Sequence, residues 1–197
     1  MRDNRPISRF LYMVQALTLS LLATLCRAED DTILLIATPE LAGSIFEQSV
    51  ILVAPHNSGA AMGVILNQPM PGDSAQIYPG DALLRDAGKI HFGGPVDPTV
   101  LLFLFRSNEA PEEAVHLFED VYFSASRELL AQQLQRPREE SGLQLFMGYS
   151  GWTIGQLQAE ILHGSWSTVK ATSRHVFDSD RSTLWQVLSG EARDKWI

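Results

Sequence analysis

The residue of this sequence that comes closest to a catalytic pattern is Ser150, in the segment Gly-Tyr-Ser-Gly-Trp that ends at Trp152. A nucleophilic serine of the G-x-S-x-G type lies in a sharp turn with small residues on both sides, so that strand and helix approach closely. Trp152 stands where that pattern needs its second glycine, and no histidine is marked as the base. We interpret Ser150 as a turn or capping hydroxyl. A hydrolase that uses Ser150, or Glu160 with a histidine, is the alternative.

Metal-ligand residue types are too scattered in this sequence to predict a metal site. Asp178 and Asp180 resemble the opening of a calcium loop, but Arg181 and Ser182 follow where a third oxygen ligand and a glycine are expected. We therefore predict a polar turn there, no metal site and no cofactor. The histidines have no close spacing and lie at His56, His91, His116, His163 and His175.

Two further segments have the composition of a binding site. The Gly-Gly-Pro turn at 93–95 could present backbone N–H groups to an anion, although such turns more often mark positive φ angles or a close backbone approach. Tyr149, Trp152 and Trp166 could line an apolar groove for a peptide or small ligand. Aromatic packing across a sheet corner explains the same three residues equally well.

The first 28 residues have the pattern of a secretory signal peptide. Three arginines precede an apolar run over residues 10–25, and small residues stand at the −3 and −1 positions of a cut after Ala28. As a helix the run would span roughly 24 Å, which is short of the ~30 Å hydrocarbon core of a bilayer. We expect a signal peptide at 1–28 and an exported, periplasmic domain at 29–197. An uncleaved anchor at 10–25 and a cytoplasmic protein are the alternatives.

Charge and cysteine content narrow the possible partners. The chain has a formal net charge of −8, and removal of residues 1–28 takes away four arginines and one acid, which leaves −11. Proteins bind nucleic acid mainly by pairing lysines and arginines with phosphates, so nucleic acid is an unlikely partner. The one cysteine, Cys26, lies in the predicted signal peptide. The processed domain then has no thiol or disulfide and depends on its core alone.

The remaining sequence predicts one α+β domain with a mixed sheet, because strands predominate early and no strict βαβ alternation follows. Short apolar runs bounded by turn residues predict buried strands. The second and third runs can pair as a hairpin, and residues 115–123 predict one bent strand or two short ones. The apolar runs lie at 32–38, 49–54, 60–67, 100–105 and 143–147, a further strand is expected at 167–171, and helices are predicted at 82–87, after Ser124 or Ser126, after Thr153, and at 183–188 up to Gly190.

The segment 143–162 predicts a strand, a turn and a helix. Glycines at 148 and 151 suggest that the strand ends in a turn that exposes Trp152. Thr153 and Gln156 fit a capping box, in which each side chain satisfies a free N–H group of the first helical turn. The helix should then place its apolar residues on one face, namely Ile154, Leu157, Ile161 and Leu162.

Five sequence pieces together resemble the YqgE/AlgH family of bacterial proteins. In chain order they are LLIATPEL, FEQSVILVAPHNSGAAMGVILNQP, GGPVD, GYSGW with GQLQAEI, and VFDSD before LW, over nearly all of residues 33–188. The resemblance implies a compact α+β domain on a bulky, mixed and largely antiparallel sheet with a few flanking helices, without an established biochemical activity. One branch of the family is linked to regulation of alginate-type exopolysaccharide synthesis.

The chain departs from the family in its export segment, since family members are usually cytoplasmic, and in Thr153-Ile154, which replaces a Gly-Pro-like pair. We predict a non-enzymatic, exported binding or regulatory domain for an unknown protein or small ligand. Contact with a membrane is expected only through an uncleaved N-terminal segment. A transcriptional regulator and a hydrolase are the alternatives. The residues predicted to form the binding surface are Asn67, Gly93, Gly94, Pro95, Tyr149, Gly151, Trp152, Gln156 and Glu160.

Overall fold

The computed structural model describes residues 32–55 and 60–194, and the predicted signal peptide at 1–28 lies outside them. Within these ranges no helix is long and apolar enough to cross a membrane. The strands are β1 (Ile33–Ala37), β2 (Val50–Pro55), β3 (Ala61–Ile65), β4 (Ile90–Phe92), β5 (Val96–Arg106), β6 (Val115–Phe118), β7 (Val121–Ser124), β8 (Gln144–Trp152) and β9 (Trp166–Lys170).

These strands form one curled sheet in the order β6-β7-β5-β8-β3-β2-β1-β9, with β4 beside β8. The pairings are antiparallel except that of β4 with β8, which is parallel. The Thr32 hydroxyl, just before β1, donates to the carbonyl of Leu117 on β6 over 3.4 Å, although β1 and β6 are far apart in the strand order. The sheet therefore curls until its two halves meet. The predicted α+β fold with a mixed, largely antiparallel sheet is confirmed.

The period-2 alternation of the strands distributes apolar side chains over both faces of the sheet. On β1, Leu34 lies in a cluster inside the curl, which we call the inner cluster, while Leu35 lies on the opposite face. On β5, Leu104 belongs to the inner cluster and Phe105 to a second outer cluster. Both faces are covered, and this explains why the strands appear in the sequence as uninterrupted apolar runs rather than alternating ones.

Short helices cover these faces. The cap predicted at Ser126 is confirmed, because the Ser126 hydroxyl accepts from the Leu129 N–H over 3.1 Å. Leu129 and Leu130 pack on one outer face, whereas Leu184 and Leu188 close the inner cluster. The helices are α1 (Ser74–Ile77), α2 (Arg127–Gln133), α3 (Arg138–Ser141), α4 (Gln156–Leu162), α5 (Ser173–Phe177) and α6 (Leu184–Asp194), with a 3₁₀ turn at Pro39–Leu41.

Two helix predictions were wrong. Residues 82–87 form turns instead of a helix: the Asp81 carboxylate accepts the N–H groups of Leu83 and Leu84 as an N-cap would, but the Ala87 N–H donates to the Leu84 carbonyl three residues back, and Gly88 follows in the left-handed region. The C-terminal helix does not end at Gly190 but continues to Asp194. A glycine costs about 1 kcal/mol in a helix, and burial of Ala192 in the inner cluster helps to offset that cost.

The segment at 93–95 carries the chain across β8. Residues 145–147 of β8 pair with β4 and also with β5, so these two strands lie on opposite edges of β8. The connection between them passes over β8 at Gly148. A Cβ atom on Gly93 would lie 2.1 Å from the Gly148 oxygen, and one on Gly94 would lie 2.3 Å from the Tyr149 carbonyl carbon. Only glycine permits this crossing, so close approach is the correct interpretation of the Gly-Gly pair.

The prediction of a turn at Gly148 and Gly151 was wrong. Both glycines lie inside β8, which continues to Trp152 and pairs there with β3, Ala61 lying opposite Trp152. Gly148 is needed for the crossing and does not end the strand. The helix that follows consequently begins later than expected, at Gln156.

We predict that Gly93→Ala destabilises the fold by about 3 kcal/mol or more, because the added methyl group would press against backbone that cannot move aside. Gly80→Ala is the matched control, since a Cβ there meets nothing within 4 Å. The control should change stability by no more than about 1 kcal/mol. Urea unfolding followed by circular dichroism measures both. Equal midpoints for the two variants would contradict the crossing as described.

Candidate functional site

An apolar pocket opens between two hairpins at one end of the inner cluster. Strands β2 and β3 form one wall, and β5, β6 and β7 form the other. Its volume is about 160 Å³. Every side chain that lines it is a hydrocarbon or thioether, which makes it suited to an apolar group. The lining residues are Leu52, Ala54, Met62, Gly63, Val64, Leu104, Val115, Leu117 and Phe123.

One residue that lines the pocket, Val115, is exposed, so the pocket is accessible from solvent. Its side chain, on β6, is 59% exposed. Leu104, by contrast, is fully buried at the base. The pocket therefore extends from solvent to the inner cluster, and no polar side chain among the described residues lines it.

A second constellation, at the end of β8, is built around the carboxylate of Glu160 on α4. One of its oxygens accepts the indole N–H of Trp152 over 2.8 Å and that of Trp166 over 2.9 Å. The other oxygen accepts from the Gln156 amide over 3.0 Å. Three donors therefore hold one carboxylate, which fixes α4 against the sheet. We call these four residues the indole–carboxylate clamp.

The clamp corrects the prediction that Trp152 is exposed. Trp152 is only 6% exposed and packs edge-on against Trp166, with ring centroids 6.3 Å apart. Leu157 and Ile161 cover this cluster as predicted, but Ile154 and Leu162 are 75% and 79% exposed. The four do not share a buried face, because Ile154 precedes the helix and Leu162 ends it on the solvent side.

The predicted capping box forms only in part. The Gln156 side-chain oxygen accepts the Thr153 N–H over 3.1 Å, as a box requires. The Thr153 hydroxyl donates to that same oxygen instead of accepting from a backbone N–H. Gly155, in the left-handed region, precedes the helix without a side-chain cap.

The Ser150 hydroxyl stabilises the segment that crosses β8. Its side chain is buried, 1% exposed, and the hydroxyl donates to the Gly93 carbonyl over 3.3 Å. The same carbonyl accepts from the Ile65 N–H, while the Gly93 N–H donates to Met147. Both the Gly93 N–H group and the Ser150 hydroxyl therefore make their hydrogen bonds within the fold.

The other predicted site residues do not form one surface. The Asn67 side chain accepts from the Val50 N–H and donates to the Gln48 carbonyl, both over 2.8 Å, so it fixes the start of β2.

Tyr149 packs towards the inner cluster, on the face of β8 opposite to Trp152. Pro95 and Gly151 are exposed. The structure unites Trp152, Gln156 and Glu160 in the clamp, and it brings Gly93 and Gly94 to the middle of β8.

The remaining candidate ligands have structural contacts. Among the residues described, no group of three or more His, Cys, Asp or Glu is placed to hold a metal ion. Asp178 pairs with Arg106 over 2.7 Å and Asp180 accepts from Ser182, as expected of a polar turn.

Burial, and to a smaller extent the positive charge of Arg181, lowers the pKa of His91 to about 4. His91 is therefore neutral at physiological pH.

Comparison with known proteins places the chain in a family. The family model described as AlgH-like matches residues 34–195, and the chain belongs to this YqgE/AlgH family. A UPF0301 protein of Shewanella denitrificans is 33% identical over 164 residues, which cover 80% of this chain and 88% of that protein. A UPF0301 protein of Chlorobium limicola is 31% identical over 156 residues, 77% of this chain and 81% of the relative.

Solved structures agree with this assignment. The solution structure of the AlgH protein from Pseudomonas aeruginosa superposes with a TM-score of 0.64 at 28% identity, covering 82% of this chain and 87% of that one. The crystal structure of protein DIP2367 from Corynebacterium diphtheriae gives a TM-score of 0.66 at 19% identity, covering 81% and 85%. The second likeness concerns the fold alone.

Sequence reasoning missed the pocket. The run at 60–67 predicted a strand that pairs in a hairpin, but an apolar run does not reveal where the cover over a strand is incomplete. The pocket arises because the β6–β7 hairpin reaches back over β2 and β3. That contact joins residues about 60 positions apart, for which the sequence contains no local signal.

We predict that Glu160→Ala destabilises the fold by about 2 kcal/mol or more, because the two buried indole N–H groups lose their acceptor. Glu160→Gln should cost less, since its amide oxygen can still accept from both rings. Gln158→Ala, at an exposed position of the same helix, should change stability by less than about 0.5 kcal/mol. Chemical unfolding monitored by tryptophan fluorescence distinguishes the three. A Glu160→Ala variant as stable as the control would contradict the clamp.

Proposed function

We propose that this chain is a non-enzymatic binding domain that acts outside the cytoplasm and holds an apolar group in the pocket between its two hairpins. The observation that carries the proposal is the pocket itself, which is lined by carbon and one thioether and is open at Val115. An apolar recess that opens to solvent is typical of ligand-binding sites.

The size of the pocket indicates what it accepts. An engineered protein cavity of about 150 Å³ binds benzene, so a recess of about 160 Å³ suits about six carbon atoms. At about 0.8 kcal/mol per buried methylene, such a group contributes up to roughly 5 kcal/mol. Because about 4 kcal/mol corresponds to 1 mM, a bare alkyl group that realises most of this contribution would bind with a dissociation constant on the order of 1 mM, and a natural ligand would gain further affinity from contacts at the rim.

The residues that could support catalysis are engaged in the fold. Ser150 is buried and donates to the Gly93 carbonyl, and Glu160 is held by three donors in the clamp. Neither group has its reactive atom free towards the pocket. These contacts favour binding over the hydrolase alternative.

The pocket can be tested with 1-hexanol and the chain beginning at Glu29, which keeps every described residue. With methionine methyl groups labelled for NMR, the Met62 signal should shift on titration, because its thioether lines the pocket. The expected dissociation constant is on the order of 1 mM. Met70, which packs against a different cluster, should not shift.

Two valine variants make the test specific. Val115→Asp places a charge at the mouth and should weaken hexanol binding at least about tenfold, because a carboxylate is disfavoured in an apolar site. Val187→Asp, at a similarly exposed valine outside the pocket, should leave it unchanged; the two side chains are 59% and 54% exposed. No saturable Met62 shift in the unsubstituted chain would refute the pocket as a binding site.

Export is supported by the signal-peptide pattern in residues 1–28. We expect a chain with alkaline phosphatase fused after Ile197 to be active, because that enzyme needs the oxidising periplasm to form its disulfides. A fusion that lacks residues 1–28 is the control and should be inactive. A full-length fusion that is inactive while its protein level equals that of the control would argue for a cytoplasmic domain.

The second candidate is the regulatory role that the family resemblance implies. Similarity to the AlgH protein from Pseudomonas aeruginosa favours it. A pocket for a small apolar group is consistent with a regulator that responds to an effector. The net charge of −8 disfavours direct binding to nucleic acid, so we place a protein or small ligand first.

A further inference from the structure

Acidic residues border the mouth of the pocket. Val115, the exposed lining residue, pairs with Phe123 of β7, which also lines the pocket. Glu113 lies directly beyond this pair, because its carbonyl accepts from the hydroxyl of Ser124, the residue after Phe123. Two residues of chain span at most about 7 Å, so the Glu113 backbone lies within that distance of Val115. The exposed Glu113 side chain therefore places a carboxylate beside the opening.

The Glu113 carboxylate has an acidic neighbour. The Ser126 hydroxyl lies 2.7 Å from Glu113 Oε2 and 3.4 Å from Glu128 Oε2, so the two carboxylates are adjacent, and both residues are exposed. We call Glu113 and Glu128 the acidic rim. The arginine next to them in the chain, Arg127, is paired with Asp81 over 2.7 Å. Its charge is therefore balanced by another carboxylate, and the rim carries net negative charge.

Positive charge close to the pocket is also balanced. Among the described Lys, Arg, Asp and Glu residues, three lie within two chain positions of a lining residue, namely Arg106, Glu113 and Glu119. Arg106 is bound by Asp178 over 2.7 Å and by Asp120 over 3.2 Å. Glu119 adds a further carboxylate. The surroundings of the pocket are therefore suited to a cation rather than to an anion.

We propose that the ligand of the pocket is a small aliphatic amine in its protonated form, with an unbranched chain of about six carbon atoms in the pocket and its ammonium group at the acidic rim. This inference rests on the proposed binding function and specifies the class of its ligand.

Charge selects the head group and orients the ligand. An ammonium group is attracted by the two carboxylates of the acidic rim, whereas a carboxylate head group is repelled by them. The Debye length is about 8 Å at physiological ionic strength, so a separation of about 7 Å leaves part of this attraction unscreened. The hydrocarbon and thioether lining disfavours an ion, because a buried ion without a partner loses its hydration. The chain therefore points inward and the ammonium group stays at the mouth.

The shape of the pocket favours a small molecule over a side chain of a partner protein. Two hairpins enclose the pocket, and Leu104 at its base is fully buried. A leucine of a partner has fewer carbon atoms than the pocket accommodates. It would also bring its backbone N–H and C=O groups against hydrocarbon, where they lose their hydrogen bonds with water. A free alkyl chain fills the pocket without this loss.

A comparison of hexylammonium with hexanoate tests the head group, because the two ligands have similar chains and opposite charges near pH 7. The chain beginning at Glu29 is titrated at low ionic strength, and the Met62 methyl signal is followed by NMR, since Met62 lines the pocket. The dissociation constant of hexylammonium should be at least about tenfold lower than that of hexanoate. Sodium chloride at about 1 M should reduce this ratio, because the Debye length is then about 3 Å.

Two glutamine variants locate the charge that is responsible. Glu113→Gln should reduce the ratio of the two dissociation constants at least about threefold, because one carboxylate of the acidic rim is lost. The amide oxygen of the new side chain can still accept from the Ser126 hydroxyl, so the contact with α2 is retained. Glu139→Gln, at an exposed position of α3, is the matched control and should leave the ratio unchanged.

The outcomes separate the ligand class from the proposed function. Equal affinities for hexylammonium and hexanoate, or equal ratios in the two glutamine variants, would overturn the amine proposal while hexanol binding still supports the pocket. N-acetyl-leucyl-lysine amide should bind more weakly than hexylammonium; tighter binding of this peptide would overturn the proposal in favour of a partner protein. If hexanol, hexylammonium and hexanoate all fail to shift the Met62 signal, the proposed function itself fails.

Discussion

The close passage of the chain over β8 is the constraint on which the rest of the fold depends. β4 and β5 are consecutive strands, yet they pair with opposite edges of the same residues of β8, so their connection must cross that strand. Contacts of 2.1 to 2.5 Å from hypothetical Cβ atoms leave room for glycine alone at Gly93, Gly94 and Gly148. The Ser150 hydroxyl and the Ile65 N–H then hold the crossing in place through the Gly93 carbonyl.

This crossing sets the shape of the sheet and therefore of the candidate site. It places β5 with its partners β7 and β6 on one edge of β8, and β3, β2 and β1 on the other. The two groups curl towards each other until Thr32 reaches Leu117. The inner cluster fills the space between them except near Val115, where the pocket lies. The site is thus a consequence of topology rather than of a local motif.

The segments that mark the family serve this architecture. GGPVD and GYSGW are the two backbones that meet at the crossing, and GQLQAEI supplies Gln156 and Glu160 to the clamp. A serine in a glycine-rich motif therefore has a structural explanation here, since its hydroxyl is consumed by a backbone carbonyl. The residues that suggested a functional site at this corner of the sheet instead make structural contacts there. This is why the binding proposal moves from the corner to the pocket on the other face of the sheet.

The sequence by itself determined most of the strands and the class of fold. Apolar runs between turn residues predicted five of the strands and the β2–β3 hairpin, and a serine before a helical pattern predicted the Ser126 cap, because those signals are local. Tertiary structure decided what depends on distant residues. It converted the expected turn at Gly148 into a crossing within β8, buried Trp152 against Trp166, and extended α6 past Gly190. It also created the pocket, because burial and close approach arise from pairings between strands that lie far apart in the chain, which no local pattern records.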